Sequence, residues 1–263
     1  NSEQLPDGSG ETARYAHGHS AAVLSAHSRR GAADSAAYLL AHLRAGMDLL
    51  DVGCGPASIT ADLAERVAPG RVVGLDAAAG ALEAARATLR ERGLSEQVEL
   101  TCGDIMALPF EDASFDVVHA HQVLQHLADP VGALAEMRRV TRPGGIVAVR
   151  DAVYSAMTWF PEPAGLEQWR SVYMATARAN GGEPDAGSRL LSWAREAGFT
   201  DVTASASTWC YATPHDRAWQ SQTWAQRSLT SFGPQAAELG LPDRSDLETT
   251  AQERRTGGHS SDA

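Results

Sequence analysis

Lysine is absent from this chain of 263 residues, so all 22 of its basic side chains are arginines. The absence of lysine in an alanine-rich chain is typical of high-GC coding bias, and we expect a bacterial source. The 33 acidic residues outnumber the basic ones and give a net charge of -11. Because a phosphate backbone requires a basic face, this charge argues against a nucleic-acid partner.

Cysteines are few, and long apolar runs are missing. Cys54, Cys102 and Cys210 have neither paired nor metal-type spacing, which predicts a reducing compartment without a disulfide framework. No apolar run is long enough to span a bilayer, and no charged-then-apolar signal pattern occurs. We therefore expect a cytoplasmic monomer or homodimer with no membrane span. No metal site is expected, because the histidines and carboxylates show no ligand spacing.

The most informative stretch is a turn with two glycines. Apolar residues lead into Asp51, glycines follow at Gly53 and Gly55, and apolar residues then recur at helical spacing over Ser58–Val67. This order predicts a buried strand, a tight turn and a helix start. Glycine permits a close approach to a ligand, and the helix directs its positive dipole end there. The stretch is therefore predicted to bind a nucleotide-type cofactor.

Two further aspartates stand at the ends of later predicted strands. Arg71–Leu75 leads to Asp76, where a carboxylate can accept hydrogen bonds from both ribose hydroxyls. Val98–Cys102 leads to Asp104, whose carboxylate can accept a hydrogen bond from an adenine amino group, while Ile105 covers the ring. Both positions indicate an adenosine-containing cofactor.

The ordered motifs resemble those of the class I S-adenosylmethionine-dependent methyltransferases, especially the branch with the ubiquinone and menaquinone biosynthesis methyltransferases. The resemblance covers about residues 47–151 and implies S-adenosylmethionine as cofactor and S-adenosylhomocysteine as product. Ala57 stands where the family usually has a third glycine, and we expect crowding of the loop rather than loss of binding. The motifs are Asp51-x-Gly53-x-Gly55, Asp76, Gly103-Asp104-Ile105, Phe115-Asp116-Val117-Val118 and Arg142-Pro143-Gly144-Gly145.

The alternation of strands and helices predicts an α/β fold, a Rossmann-like parallel sheet with helices on both faces. We expect an N-terminal helical lid over residues 1–46, including helices at Ser20–Ser28 and Ala32–Leu43. Residues 47–212 are predicted to form the cofactor domain with a cap insertion at 152–187, and residues 213–263 to form C-terminal helices and a polar tail. The predicted strands are Asp48–Val52, Arg71–Leu75, Val98–Cys102, Phe115–Ala120, Ile146–Arg150 and Phe199–Ala206, with Thr208–Ala212 as a possible hairpin strand.

The resemblance implies that the N-terminal helices lie over the cofactor and the substrate as a lid. A cation there is expected to pair with the carboxylate of the cofactor's methionine end, and Arg30 is the candidate. Tyr15 and His17 are substrate-binding candidates on the same segment. The full set predicted to contact the cofactor is Arg30, Asp51, Gly53, Cys54, Gly55, Asp76, Ala77, Gly103, Asp104, Ile105 and His121.

Methyl transfer from a sulfonium requires an aligned acceptor and a dry pocket. All six tryptophans follow the fifth predicted strand, which suggests a hydrophobic or aromatic acceptor. Trp159 is a candidate substrate wall, whereas Trp193 and Trp209 are expected to lie in the core. His119 is expected to pack beneath the sheet. The candidate catalytic residues near the ends of strands four and five are His121, His126, Asp151 and Tyr154.

These features favour a methyltransferase that acts on carbon or oxygen of a quinone precursor, polyketide or terpenoid-like metabolite in secondary metabolism. One alternative is a methyltransferase-like binding or regulatory protein that holds the cofactor or its product without turnover, which Ala57 and the unusual C-terminal pattern leave open. A nicotinamide-dependent dehydrogenase fits Gly53, Gly55 and Asp76 only loosely. That class predicts a glycine at position 58, where Ser58 stands.

Overall fold

A five-stranded parallel sheet forms the centre of the computed structural model, which describes residues 30–160, 166–230 and 232–240. Its strand order is β3-β2-β1-β4-β5, and every neighbouring pair is parallel. The order reverses between β1 and β4, which places a ligand crevice at the carboxyl ends of these two strands. The strands are β1 (Leu49–Val52), β2 (Val72–Asp76), β3 (Val98–Cys102), β4 (Phe115–His121) and β5 (Thr141–Arg150).

Helices cover both faces of the sheet. One buried cluster packs α1 to α4 against Leu49 and Val72, and a second packs α5 and α7 against Leu50 and Val73. Because successive strand residues point to opposite faces, the two clusters lie on opposite sides, which confirms the predicted α/β fold. The helices are α1 (Ala32–Ser35), α2 (Ala37–Leu40), α3 (Ser58–Val67), α4 (Ala79–Glu91), α5 (Pro130–Val140), α6 (Leu166–Ala179), α7 (Leu190–Glu196), α8 (Pro214–Thr230) and α9 (Phe232–Glu238).

The predicted lid helix over Ala32–Leu43 is interrupted. α1 ends and α2 begins on either side of Ala36, which has φ -131° and ψ 21°, outside the helical region. The Ala32 amide donates to Asp62 Oδ2 at 2.8 Å and ties α1 to α3. The other predicted helix, Ser20–Ser28, lies outside the described residues.

Two predictions for the segment after α7 are wrong. Phe199–Ala206 is not a sixth strand and Thr208–Ala212 is not a hairpin strand, since residues 199–213 pair with no strand of the described chain. Most side chains of this segment are exposed, so it has no apolar face to pack on a sheet. The segment, which we call the strap, is bonded to the sheet end through a side chain: Arg150 Nε donates to Ser207 Oγ at 3.1 Å.

An aromatic cluster follows the sheet and links the turn after β5 to α6, α8 and α9. The ring centroids of Tyr154 and Tyr173 are 4.4 Å apart, and those of Trp169 and Trp224 are 4.6 Å apart with edge-to-face geometry. These four residues and Phe232 are buried and form the aromatic cluster. Across the described ranges, every helix is too short or too polar to cross a bilayer.

Candidate active site

The loop between β1 and α3 bends through residues with positive φ. Gly53 and Gly55 have φ +68° and +53°, and the amides of Gly53 and Cys54 donate to the Leu75 carbonyl oxygen at 2.7 and 3.0 Å. Ala57 also has a positive φ, +60°, and is fully buried just before α3. An alanine in this conformation carries a backbone strain of about 1–2 kcal/mol. The loop therefore accommodates Ala57 at the expense of backbone strain.

A buried hydrogen-bond network supports the start of this loop. Asp51, 3 % exposed, accepts a hydrogen bond from Thr60 Oγ1 at 2.5 Å through Oδ2 and one from His119 Nδ1 at 2.7 Å through Oδ1. His119 is fully buried, as the sequence predicted. Both oxygens of Asp51 are therefore engaged by protein donors, and its predicted contact with the cofactor would use the remaining lone pairs.

Asp76 bridges the end of β2 and the glycine loop. Its Oδ2 accepts from the Gly55 amide at 3.0 Å, and its Oδ1 accepts from the Ala78 amide at 2.9 Å. Each carboxylate oxygen retains a second lone pair, so the group can still accept from ribose hydroxyls. Ala77 is exposed beside it, whereas Cys54 is buried. Burial is the main cause that raises the pKa of the Cys54 thiol, so this side chain remains a neutral thiol.

Replacing Asp76 with alanine should weaken binding of S-adenosylmethionine by about 1–3 kcal/mol, because a charged acceptor for the ribose is lost. Titration calorimetry measures the change. Glu83→Ala, on the exposed surface of α4, is the control and should bind like the parent. Unchanged affinity in Asp76→Ala would show that the ribose assignment is wrong.

Asp104 and its neighbours close the end of β3. Asp104 is exposed, and its Oδ1 accepts from the Met106 amide at 2.9 Å, which caps the short turn Ile105–Ala107. Ile105 is buried beneath it. A Cβ at Gly103 would lie 2.9 Å from Leu75 Cδ1, so a side chain there would require Leu75 to shift. This arrangement leaves the Asp104 carboxylate accessible for the predicted adenine contact.

His121 ends β4 opposite Arg150 of β5 and is 9 % exposed. Neither of its ring nitrogens has a hydrogen-bond partner among the described residues. Burial is the main cause that holds its pKa well below the usual range, and Arg30, His119 and Arg150 lower the pKa further. His121 is therefore a neutral imidazole at neutral pH, able to accept a hydrogen bond.

Asp151 follows β5 directly. Its Oδ1 accepts from the Gln125 amide at 3.1 Å, while its Oδ2 is inaccessible to water and has no partner within the described chain. Burial raises the pKa of Asp151 to about 7, against the opposing hydrogen bonds from the Gln125 and Leu124 amides and the charge of Arg150. The buried hydroxyl of Tyr38, whose own pKa is raised by burial, is likewise without a described partner.

The raised pKa of Asp151 predicts a pH-dependent stability. A carboxyl group with a higher pKa in the folded than in the unfolded state binds its proton more tightly when folded, so its stabilisation is present at low pH and is lost as the pH rises from about 4 to about 7. Asp151→Asn should therefore unfold at a higher denaturant concentration than the parent at pH 8 and at about the same concentration at pH 4. If the denaturant concentrations at which the two proteins unfold differed equally at pH 4 and at pH 8, the raised pKa of Asp151 would be refuted.

His126 and Tyr154 are engaged by other side chains. His126 Nε2 lies 3.1 Å from Gln125 Nε2, in the turn that follows β4. Tyr154 is buried in the aromatic cluster, where burial raises its pKa and a hydrogen bond with Tyr173 opposes this rise. Both stay candidate catalytic residues, and these contacts already engage His126 Nε2 and the Tyr154 hydroxyl.

Trp209 lies at the site and not in the core, contrary to the prediction. Its ring centroid is 5.7 Å from that of His121, and its Nε1 donates to the Asp34 carbonyl oxygen at 3.2 Å. The guanidinium carbons of Arg150 and Arg30 lie 4.4 and 5.0 Å from the indole centroid. These cation–π contacts fix the strap above the carboxyl end of β4.

The structure gives positions for two further tryptophans that the sequence analysis singled out. Trp193 packs against the second cluster beneath the sheet, in agreement with its predicted core position. Trp159 is half-buried against the aromatic cluster, with the Arg170 guanidinium carbon 5.2 Å from its ring, and it stays a candidate substrate wall. Tyr15 and His17 lie outside the described residues.

The structure adds four residues to the candidate site that the sequence did not indicate: Tyr38, Gln125, Arg150 and Trp209. Gln125 stands between predicted candidates, so its position carried a usable signal. Tyr38 lies beside core leucines in a helical pattern, and Trp209 lies within the misassigned strand Thr208–Ala212, so their neighbours in the sequence concealed their positions. The described chain contains no group of three or more histidine, cysteine or acidic side chains that could hold a metal.

Comparison with known proteins identifies a matching family and similar proteins. A family model described as a methyltransferase domain matches residues 50–149. An uncharacterized methyltransferase of Schizosaccharomyces pombe is 36 % identical over 226 residues, which cover 82 % of this chain and 80 % of that protein. A demethylmenaquinone methyltransferase of Lactococcus lactis is 44 % identical, but over only 39 % of this chain and 40 % of its own length.

Among solved structures, the [4+2]-cyclase SpnF is similar over 88 % of this chain and 80 % of its own, with a TM-score of 0.56 and 25 % identity. The matches thus extend beyond residues 50–149 to most of the chain. These similarities agree with the cofactor site inferred from the glycine loop and from the aspartates at the carboxyl ends of the strands.

Proposed function

Because the chain belongs to the class I S-adenosylmethionine-dependent methyltransferases, we propose that it methylates a carbon or oxygen atom of a small hydrophobic or aromatic metabolite. Its cofactor is S-adenosylmethionine, which supplies an activated methyl group. The protein's own task is to align the acceptor, exclude water and remove a proton where the acceptor requires it.

One observation carries this proposal: buried polar atoms without partners gather beside the cofactor loop. They belong to Tyr38, His121, Gln125 and Asp151, and none of these atoms has a partner among the described residues. Buried polar groups in folded proteins are almost always hydrogen-bonded, so these atoms are expected to contact a ligand. They surround the carboxyl ends of β4 and β5, where an acceptor would face the methyl group.

Asp151 is the best-suited proton acceptor in this group. A general base is most effective when its pKa is near the working pH, and burial raises the pKa of Asp151 to about 7. His121, neutral at that pH, would accept a hydrogen bond from the acceptor and orient it. Asp76 and Asp104 would hold the ribose and the adenine, and the strap would exclude water through Trp209.

The aromatic cluster and Trp209 favour a hydrophobic acceptor, of which a quinone precursor, a polyketide or a terpenoid-like metabolite are examples. The similarity to a demethylmenaquinone methyltransferase supports the quinone-type acceptor, within the share of the chain that it covers. We further propose a bacterial, cytoplasmic enzyme of secondary metabolism that acts as a monomer or homodimer.

A second candidate is a protein of this family that binds the cofactor without transferring the methyl group. The observation in its favour is the similarity to SpnF, a [4+2]-cyclase, over most of the chain. This candidate shares the fold and the cofactor loop, so only an assay of transfer distinguishes the two.

The decisive experiment has two stages. Titration calorimetry with S-adenosylmethionine, S-adenosylhomocysteine and NAD should give binding of the first two and none of NAD. Methyl-labelled S-adenosylmethionine is then incubated with naphthoquinols, phenols and 1,3-dicarbonyl compounds, and we expect label in the organic product. Binding without label in any product would favour the second candidate, and binding of NAD alone would overturn the cofactor assignment.

A further inference from the structure

Arg227, in the last turn of α8, is a buried cation that the methyl-transfer chemistry does not use. The residue is 2 % exposed, and its Nε and Nη2 atoms are inaccessible to water. Neither atom has a hydrogen-bond partner in the described part of the chain, and no carboxylate there forms an ion pair with it. Because a buried guanidinium without hydrogen-bond partners is costly, these donors are expected to bind a group that the described residues do not supply.

The two unpartnered donors have a definite geometry. Nε and Nη2 lie on the same edge of the planar guanidinium, where their N–H groups point in parallel. This edge matches the two oxygens of a carboxylate, which it binds through two charge-assisted hydrogen bonds. A hydroxyl or an amide group would satisfy the edge less well.

The surroundings of Arg227 are aromatic and continue to the site. Its guanidinium carbon lies 4.9 Å from the Trp224 ring centroid, and Trp224 meets Tyr154 edge to face at 6.1 Å. Tyr154 lies three residues after Asp151, in the turn that follows β5. Aromatic contacts thus connect the buried cation with the turn that follows the proposed proton acceptor.

Other arginines converge on the same region. Burial raises the pKa of Tyr211, which lies in the strap, and the charge of Asp34 adds to this rise, whereas Arg30, Arg227 and Arg150 all oppose it. A concentration of cations is unexpected in a chain of net charge -11. The three arginines outnumber the one acidic residue, Asp34, that acts on Tyr211, and this local excess of positive charge favours an anionic ligand.

We propose that the methyl acceptor is a hydrophobic carboxylic acid, whose carboxylate binds to Arg227 while its apolar body lies along the aromatic cluster. This inference rests on the proposed function, since it identifies the acceptor of the same site. It makes Arg227 a specificity-determining residue that contacts the acceptor at a distance from the transferred methyl group.

The test uses 2-naphthoate and its uncharged counterpart 2-naphthamide as probes, titrated calorimetrically into the full chain saturated with S-adenosylhomocysteine. We expect the parent to bind naphthoate about 10- to 100-fold more tightly than naphthamide, the range for a charge-assisted pair. Arg227→Met should abolish this preference without changing affinity for naphthamide or S-adenosylhomocysteine. Arg227→Lys, which keeps the charge but loses the paired donors, should retain an intermediate preference.

Arg195→Met is the control, because it removes an equal charge from the exposed surface of α7 and should keep the preference. Equal binding of both probes by the parent, or of neither, would overturn the proposal, as would a preference that survives in Arg227→Met. A loss of S-adenosylhomocysteine affinity in that variant would assign Arg227 to the cofactor instead. Should Arg227→Met fail to fold, the preference of the parent for naphthoate and its reduction in Arg227→Lys still test the proposal. Failure of the parent to bind S-adenosylhomocysteine at all would count against the proposed function itself.

Discussion

Asp51→Ala should lower the free energy of unfolding by about 3–5 kcal/mol, because Thr60 and His119 then lose their common buried acceptor. His119 is fully buried and Asp51 nearly so, and water cannot easily replace the lost carboxylate. The loop above the network should lose its support, so cofactor affinity should fall as well. Urea denaturation and titration with S-adenosylhomocysteine measure the two effects.

Asp112→Ala is the matched control for this variant. Asp112 also pairs with a basic side chain, Arg139, but its own side chain is 78 % exposed. A surface pair of this kind contributes about 0–1 kcal/mol, so the control should unfold almost like the parent. A loss below about 1 kcal/mol in Asp51→Ala would show that the buried network does not stabilise the fold.

Gly53→Ala should destabilise the protein by about 2–4 kcal/mol and weaken cofactor binding at least about tenfold. Gly53 has φ +68°, which strains any residue with a Cβ, and the added Cβ would lie 2.4 Å from Val123 Cγ2. Val123 belongs to the segment between β4 and the Leu124–His126 turn, so the clash would displace two walls of the site together. Denaturation and calorimetry measure both quantities.

A second substitution separates the clash from the backbone strain. Val123→Ala in the Gly53→Ala background removes the overlapping atom and should recover about 1–3 kcal/mol, while the strain from the positive φ remains. Gly55→Ala is the control, because Gly55 has φ +53° but nothing within 4 Å of an added Cβ; it should lose only about 1–2 kcal/mol. Equal losses at Gly53 and Gly55 would exclude the contact with Val123 as the cause.

The parallel sheet could be predicted from the sequence because its signals are local. Asp129 and Pro130 marked the start of α5, where the Asp129 carboxylate indeed accepts from the Gly132 amide at 2.8 Å. Short, nearly continuous apolar runs such as Val72–Asp76 are typical of central strands that are buried on both faces. The strap was misassigned because a short apolar run does not reveal whether a neighbouring strand will pair with it.

The sequence by itself determined the α/β fold, the glycine loop and the aspartates at the strand ends, since each depends on residues adjacent in the chain. Only the tertiary structure decided which side chains share the crevice. It placed Trp209 over His121, Tyr38 and Gln125 near Asp151, and Arg227 beside the aromatic cluster. The physical reason is that burial and pairing arise from contacts between distant segments. The raised pKa of Asp151 and the unpaired donors of Arg227 exist only once those segments have packed together.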